Sequence, residues 1–364
     1  RIDKDQIKNS SAWKDITKAN TEFKHLYVEL AKTINKFMNI IENHELEDED
    51  GIIFDFKKYI DRLKEYYKNF EFIVNNDSED YVYWFSVTPN KNNIKLFATP
   101  FDVSEDLKEN LLSKLNKMVF TSATLAVEGK FDYFMKSMGF DKNDKQLSKY
   151  LISSPFDYMN QMRVFIPSDT IDPNSIDFIA ETEVFIDKLI RKTKGHCFLL
   201  FTSYSMLNYL YNKLEKYYNK KDYTLLKQGD YSRNEMIEIF RNAKNPILFG
   251  TDSFWEGVDV QGEQLKSVII VKLPFKVPDD PVTEAIIEHI RENKGNPFNE
   301  FQVPQAVIKF KQGIGRLIRS KSDTGIITIL DNRVITKYYG RKFLNSLPKT
   351  NIIVDSKENI IEII

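Results

Sequence analysis

The stretch Gln312-Gly313-Ile314-Gly315-Arg316-Leu317-Ile318-Arg319 is the most informative part of this sequence. It ends a predicted helix over residues 304–318 and precedes a predicted strand over residues 325–330. On a helix, Gln312, Arg316 and Arg319 are spaced at i, i+4 and i+7, so the helix prediction places them on one face. Two guanidinium groups on one face could both reach a phosphate through their forked donors. The alternative from spacing alone is a solvated polar face with two surface arginines.

Short apolar strands alternate with helical segments on both sides of this stretch. The predicted strands cover residues 118–121, 163–166, 197–201, 225–226, 246–249, 267–271 and 325–330. Strands that are bracketed by helices indicate a mostly parallel sheet that is covered on both faces. The two glycines at 313 and 315 each cost a helix about 1 kcal/mol relative to alanine, so a close approach of another group should require them.

Composition limits the function classes. The 364 residues include 52 basic and 53 acidic ones, for a net charge of −1, so any nucleic-acid surface must be local. The single cysteine, Cys197, excludes an internal disulfide and a four-cysteine zinc or iron–sulfur site within this sequence. None of the four histidines has metal-ligand spacing, so no metal site is predicted. No apolar run reaches 18 residues, so we expect no membrane partner and a reducing, cytoplasmic location.

An acidic loop follows the strand over residues 246–249. In the sequence Phe-Trp-Glu-Gly-Val-Asp that ends at Asp259, Gly257 would let the backbone approach a ligand closely. Glu256 and Asp259 could bind a ribose hydroxyl or a basic partner. An ordinary turn with acidic helix caps explains the same residues equally simply.

Small polar residues follow three other strands. Thr202 and Ser203 open a helix, where free backbone N–H groups favour a phosphate, including one of a nucleic acid. Gln228 lies in a comparable loop. Ser122 and Thr124, in the sequence Thr-Ser-Ala-Thr, follow the predicted strand over residues 118–121 and could bind acidic residues of a neighbouring loop. Simple N-capping is the alternative for these hydroxyls.

The joint order of these four segments resembles the second motor domain of a superfamily 2 helicase. Ser-Ala-Thr is similar to helicase motif III, residues 201–204 to motif IV, residues 250–259 to motif V and residues 312–319 to motif VI. Phe-Trp-Glu-Gly-Val-Asp, Leu273-Pro274-Phe275, Asp323 and Asp331-Asn332-Arg333 resemble the DinG branch, which is related to the XPD helicase. The resemblance covers roughly residues 82–364.

This resemblance implies a domain organisation. It implies a RecA-like parallel sheet with helices on both faces, as the second motor domain at residues 126–364. Residues 1–80 would be the helical remnant of an arch-like insertion, and residues 81–125 would return the chain to the first motor domain. Amphipathic spacing independently predicts that residues 1–75 are mostly helical.

The resemblance also assigns roles to residues. Arg316 and Arg319 would reach the γ-phosphate of ATP, with Gln312 in support. Glu256, Gly257 and Asp259 would couple the nucleotide to bound DNA. The residues expected to contact DNA are Thr202, Ser203 and Gln228, and those expected to link ATP hydrolysis to strand movement are Ser122 and Thr124.

Two nucleotide motifs are missing from the sequence. There is no G-x-x-x-x-G-K-[ST] loop and no Asp-Glu-x-His box for Mg²⁺. In the resembled family both lie upstream of Ser-Ala-Thr. We therefore expect a C-terminal half, cut inside the arch, that does not hydrolyse ATP alone. The whole protein would bind ATP and Mg²⁺ chiefly through its other half and act on DNA, with single strands the expected form. An upstream 3′–5′ exonuclease domain or an upstream iron–sulfur cluster would fit, but this fragment has no cluster cysteines.

Two other functions compete with this interpretation. One is a non-catalytic nucleic-acid-binding module whose ATP site has decayed, although the presence of both arginines argues against decay. The other is a small-molecule α/β enzyme such as a nucleotide-sugar transferase. That alternative is weakened because the sequence shows no nucleophile, base pair or metal cluster. Salt-sensitive binding to single strands would separate a function that binds nucleic acid from the small-molecule enzyme, because phosphate contacts release counterions.

Overall fold

The computed structural model describes residues 1–2, 7, 10–43, 52–76, 78–88, 93–141, 146–218, 222–255 and 264–364. The chain divides into two compact units. The first unit contains Arg1–Val103 and Pro278–His289, and the second contains Ser104–Val277 and Ile290–Ile364.

The first unit is built on two long helices and a hairpin. Helices α1 (Ser11–Asn43) and α2 (Ile52–Asn75) carry apolar stripes that pack against each other, and the Tyr27 and Tyr67 rings stack at 4.0 Å. Strands β1 (Tyr81–Val87) and β2 (Ile94–Pro100) pair antiparallel. The predicted helical character of residues 1–75 is confirmed in the described part of this region, while the assignment to an arch and a first motor domain stays a prediction.

The second unit holds a sheet with helices before, between and after its strands. The elements that follow β2 are, in chain order, α3 (Ser104–Asn110), α4 (Asp132–Ser137), α5 (Tyr158–Gln161), β3 (Met162–Pro167), α6 (Phe178–Thr193), β4 (Cys197–Leu200), α7 (Tyr204–Tyr218), β5 (Thr224–Lys227), α8 (Arg233–Asn242), β6 (Pro246–Gly250), α9 (Asp252–Trp255), β7 (Ser267–Ile270), α10 (Pro281–Glu292), α11 (Val303–Ile314), β8 (Gly325–Ile329), α12 (Arg333–Thr336), α13 (Gly340–Leu344), β9 (Asn351–Asp355) and α14 (Lys357–Ile363). Most of α10 belongs to the first unit. A π-helical turn, Phe298–Gln302, leads into α11.

The sheet has seven strands in the order β5-β6-β4-β7-β8-β3-β9, and all of their pairings are parallel. The central strand β4 is fully buried. Its Phe198 and Leu200 enter one apolar core cluster, and its Cys197 and Leu199 enter a second. Because successive strand residues point to opposite faces, these two clusters cover the two faces of the sheet. The predicted α/β class, with helices on both faces of a parallel sheet, is confirmed.

One strand prediction is wrong. Residues 118–121 form no strand, and Val119 is 88% exposed. An apolar run becomes a strand only where a neighbouring strand satisfies its backbone groups, and no described strand pairs with these residues. Ser122 and Thr124 therefore follow an irregular segment.

Helix length and composition also bear on membranes. Among the helices in the described ranges, none combines the length and apolar content that crossing a bilayer requires.

Candidate functional site

Trp255 joins the ends of two central strands. Its side chain is fully buried after β6, and its Nε1 donates a hydrogen bond to the Phe201 carbonyl at the end of β4, at 3.0 Å. Arg316 Nη2 in turn donates to the Trp255 carbonyl at 2.8 Å. In parallel strands the carboxyl ends share one edge of the sheet, which is where open α/β sheets bind ligands. Trp255 therefore holds Arg316 at that edge.

Gly313 makes this arrangement sterically possible. A Cβ atom at Gly313 would lie 2.7 Å from Trp255 Cε3 and 3.1 Å from Leu200 Cδ1. Real Cβ atoms do not pack that closely against a ring, so α11 approaches the indole only because residue 313 is glycine. The sequence analysis predicted such a close approach from the cost of a glycine inside a helix.

The prediction of a helix over residues 304–318, with Gln312, Arg316 and Arg319 on one face, is wrong at its C-terminal end. Helix α11 ends at Ile314, and Gly315 closes it with φ −61° and ψ 0° while its N–H donates to the Lys311 carbonyl at 2.9 Å. Gln312 therefore lies on the last helical turn, whereas Arg316 and Arg319 lie in the connection that follows it. The three residues do not share one helix face.

The connection after α11 is fixed by Asp323. Its carboxylate accepts hydrogen bonds from the backbone N–H groups of Arg319 and Ser320, each at 2.8 Å, and from the Ser320 hydroxyl at 2.7 Å. Gln161 Nε2 donates to the carbonyls of Ser320 and Asp323, at 2.9 and 2.8 Å. These side-chain bonds to the backbone hold residues 319–323 in a non-helical loop.

The same bonds change the acidity of Asp323. Burial acts to raise the pKa of the Asp323 carboxyl, but the hydrogen bonds from Ser320 and from the two backbone N–H groups together hold that pKa below its ordinary value. The ionised form is therefore the one that orders the loop and sets the position of the Arg319 backbone.

The side chains around this loop suit an anion. Arg316 is 6% exposed and Arg319 is half-buried, so both guanidinium groups lie partly out of water. Charged hydrogen bonds gain strength in such surroundings. Gln312 Oε1 is buried and accepts no hydrogen bond within the described residues. A glutamine with an unused buried oxygen, followed within seven residues by two partly buried arginines, fits a polar, phosphate-bearing ligand such as a nucleotide.

The Ser-Ala-Thr segment approaches the same helix end. Lys311 Nζ donates to the Ala126 carbonyl at 2.8 Å, and burial lowers the pKa of Lys311. Two residues earlier, the Thr124 N–H donates to Ser122 Oγ at 3.2 Å, so these hydroxyls form a local turn. The structure thus brings this segment beside the residue that precedes Gln312, and the coupling role of Ser122 and Thr124 stays a prediction.

Gln228 connects three segments at the carboxyl edge. Its Oε1 accepts from the Thr251 N–H at 2.5 Å and from the Thr251 hydroxyl at 3.0 Å, and its Nε2 donates to the Tyr204 hydroxyl at 2.6 Å. The amide therefore ties the β5 loop to the end of β6 and to the start of α7. Its predicted contact with nucleic acid stays a prediction.

Thr202 and Ser203 lie in the loop between β4 and α7, next to Phe201. Ser203 Oγ accepts from the Met206 N–H at 3.4 Å, as an N-cap does. The capping alternative therefore describes Ser203 in this structure, and the DNA contacts predicted for both residues stay predictions. The residues Glu256, Gly257 and Asp259 lie outside the described residues.

A second polar centre at this edge was not identified as a site from the sequence. Asp331, directly after β8, is fully buried and accepts from the Leu273 N–H at 2.8 Å and from Arg333. The nearby Lys272 has a lowered pKa because of its burial and, secondarily, the Arg333 charge. The sequence signal that could have identified this centre is an Asp and an Arg two residues apart at the end of a strand. No group of three or more His, Cys, Asp or Glu that could hold a metal occurs in the described ranges.

Comparison with known proteins gives a consistent result. Residues 186–350 match the family of helicase C-terminal domains. The ATP-dependent DNA helicase YoaA of Haemophilus influenzae is 38% identical over 272 residues, which are 74% of this chain and 41% of that protein. The 3′-5′ exonuclease DinG of Bacillus subtilis is 34% identical over 305 residues, which are 82% of this chain and 32% of that protein. The chain thus spans about two fifths or less of the length of these relatives.

Solved structures show the same fold. An XPD helicase structure superposes with a TM-score of 0.51 at 18% identity, over 71% of this chain and 46% of the other. A second XPD structure gives 0.52 at 16% identity, over 81% and 59%. The expected RecA-like helicase fold is therefore confirmed. Residues 186–350 are thus similar to helicase C-terminal domains, and most of the chain is similar to part of the DinG and YoaA proteins.

Proposed function

We propose that this chain is the C-terminal motor half of a DinG-like, ATP-dependent DNA helicase. The observation that supports the proposal is the bond from Arg316 to the Trp255 carbonyl, at the carboxyl edge of the sheet, where Gly313 lets the end of helix α11 approach the indole. The names of the relatives support ATP and DNA as ligands of the whole protein. In this proposal residues 1–80 belong to the arch, residues 81–125 to the first motor domain and residues 126–364 to the second, in a cytoplasmic protein.

Arg316 and Arg319 act as arginine fingers in this proposal. ATP, when bound, supplies the phosphoryl group that is transferred to water, and this hydrolysis releases the energy for movement. The two guanidinium groups stabilise the negative charge that develops on that group, and the Gln312 amide orients it. The carbonyl of Trp255 holds Arg316 in place before the nucleotide arrives, which lowers the cost of ordering a long side chain.

The upstream half would supply the phosphate-binding loop and the Mg²⁺ ligands. The buried carboxylate of Asp331 is already bound by Arg333 and Leu273, so it does not suit Mg²⁺. Because the Bacillus subtilis relative is named a 3′-5′ exonuclease, the proposal for the whole protein includes a fused nuclease domain.

The remaining site residues would connect the nucleotide to DNA. Trp255 links Arg316 to Phe201, and the next residues, Thr202 and Ser203, would contact the DNA backbone. Gln228 would contact DNA from the loop that it braces. Glu256, Gly257 and Asp259 would couple the two ligands, and Ser122 and Thr124 would respond to hydrolysis.

ATPase assays on the whole gene product test this proposal. We expect Arg316→Ala and, independently, Arg319→Ala to lower DNA-stimulated turnover by about 10³-fold or more, since arginine fingers contribute about 10³–10⁵ in related enzymes. Arg241→Ala, at an exposed position of helix α8, is the matched control and should keep wild-type turnover. The 364-residue chain alone should show no turnover.

Two results would contradict the proposal. ATPase activity in the isolated chain that Arg316→Ala abolishes would show a complete site without an upstream half. Full ATPase activity of both arginine variants in the whole protein would instead favour a non-catalytic nucleic-acid-binding module. Thermal unfolding of each variant separates lost chemistry from lost folding.

A further inference from the structure

A basic stretch with an exposed tyrosine follows the last central strand. From residue 332 to residue 354 the sequence contains five Lys or Arg and no Asp or Glu. Lys337, Tyr338, Arg341 and Lys342 define what we name the Tyr338 surface, in the turn between α12 and α13 and at the start of α13. Lys337 and Arg341 are exposed, and none of the three cations forms an ion pair within the described ranges. A local positive surface of this kind is what a chain of net charge −1 needs in order to bind nucleic acid.

Tyr338 is exposed and nevertheless held in one orientation. It is 66% exposed. Its hydroxyl donates to Asn299 Oδ1 at 3.0 Å, and its ring contacts the Tyr339 ring edge-on, at 5.6 Å and 79°. Tyr339 is buried and also packs against the Phe275 ring. An exposed aromatic ring that is fixed at its tip and along its edge presents a face that a planar ligand can stack on without an ordering cost.

The turn that carries this tyrosine is rigid. The Gly340 N–H donates to the Lys337 carbonyl at 2.9 Å. A Cβ atom at Gly340 would lie 2.2 Å from the Val334 carbonyl oxygen, so only glycine lets the turn pack against α12. Lys337 and Arg341 therefore flank Tyr338 along the chain, one before and one after this turn.

This surface is separate from the arginine site. Asn299, which anchors Tyr338, lies in the π-helical turn that leads into α11, whereas Gln312 lies on the last turn of that helix. The 12 residues of α11 extend about 18 Å at 1.5 Å per residue. The Tyr338 surface therefore needs its own ligand.

We propose that the Tyr338 surface binds single-stranded DNA, with a base stacked on Tyr338 and phosphates bound by Lys337, Arg341 and Lys342. An aromatic face flanked by cations is the arrangement that binds single strands, because an unpaired base offers its π-face while the phosphates follow the charges. A duplex keeps its bases stacked on each other and does not use the ring. The inference rests on the proposed function, which makes DNA the partner.

Fluorescence anisotropy with the 364-residue chain tests the inference. The probe is a labelled 20-residue oligothymidylate, with a labelled duplex hairpin as the comparison. We expect Tyr338→Ala to weaken oligothymidylate binding about 5- to 150-fold, the range for one lost stacking contact. Tyr338→Phe keeps the ring but loses the Asn299 bond, so its loss should be smaller. The double variant Lys337→Gln/Arg341→Gln should flatten the slope of log affinity against log salt by about 1.4, at about 0.7 per phosphate contact.

Matched controls are available on helices α6 and α7. Lys188→Gln/Lys192→Gln removes two exposed charges, and Tyr217→Ala removes another exposed tyrosine, and both should bind like wild type. If the Tyr338 surface variants fold and bind like these controls while wild type binds the probe, the inference is wrong and the proposed function stands. Failure of the wild-type chain to bind either probe would count against both. Equal loss on the duplex and the single strand would overturn the single-strand assignment.

Discussion

The Arg333 guanidinium binds the fully buried Asp331 carboxylate through two atoms, Nε at 2.8 Å and Nη2 at 2.6 Å. The same carboxylate accepts the Leu273 N–H at 2.8 Å, so it connects the ends of β7 and β8. A bidentate arginine is the geometry that best satisfies a carboxylate removed from water.

Arg333→Ala should therefore be strongly destabilising. It leaves a buried carboxylate without its cation, which typically costs about 3–5 kcal/mol of unfolding free energy. Urea unfolding followed by circular dichroism measures the loss. Arg333→Lys keeps the charge but not the fork, so it should lose less. A loss below about 1 kcal/mol for Arg333→Ala would mean that this pair contributes no more than an exposed surface ion pair does.

The glycines of α11 should respond differently to alanine. Gly313→Ala gains about 1 kcal/mol of helix propensity but places a methyl group against Trp255, and such overpacking costs about 1–3 kcal/mol. The net result should be a lower melting temperature and an indole that is less shielded from solvent, as measured by its fluorescence. Gly315→Ala is the matched control, because its Cβ atom would meet no side chain within 4 Å but the carbonyl oxygens of Lys311 and Gln312, at 3.2 and 3.8 Å. Similar melting temperatures for the two variants would contradict the packing account.

Asp323 should make stability depend on pH. Its pKa is lower in the folded chain than in the unfolded chain, where it is about 3.9. Its ionised carboxylate therefore stabilises the fold above that value, and the contribution is lost as the pH falls through the folded-state pKa. Asp323→Asn should lower the unfolding free energy at pH 7 by about 1–3 kcal/mol. Urea titrations at pH 7 and near pH 3 should show the difference from wild type shrinking in acid, and a constant difference would refute this role.

Cys197 should report opening of the central sheet. Burial raises the pKa of its thiol, so the reactive thiolate is suppressed. We expect Ellman's reagent to label the native chain extremely slowly and the urea-unfolded chain at once. As the sole cysteine, Cys197 gives a single signal. Labelling of the native chain within seconds would show that β4 opens far more often than a buried central strand should.

The sheet could be predicted from sequence because its strands are nearly continuous apolar runs. The runs at Cys197–Leu200 and Pro246–Gly250 are buried on both faces, and each is bounded by helical patterns. The cost of a glycine inside a helix also predicted the close contact at Gly313. These signals are local, since they depend on the residues within one element.

The errors arose where distant residues decide the local structure. The apolar spacing of α11 continues past Gly315, but the helix ends at Ile314, and Asp323 and Gln161 bind the backbone of the loop further along. Residues 118–121 have strand character but no described partner strand. The bracing role of Gln228 depends on Tyr204 and Thr251, which lie 24 and 23 positions away. No spacing rule encodes such contacts.

The stretch over residues 332–354, which contains no Asp or Glu, also makes the distribution of charge along the chain uneven. It carries five positive charges, whereas the whole chain has a net charge of −1, so the remaining residues sum to −6. Near a polyanion such a charge distribution orients the molecule, because the basic stretch is attracted to the polyanion and the rest of the chain is repelled by it. Encounters with DNA would therefore be oriented before any contact forms, and added salt would slow the approach as well as weaken the complex.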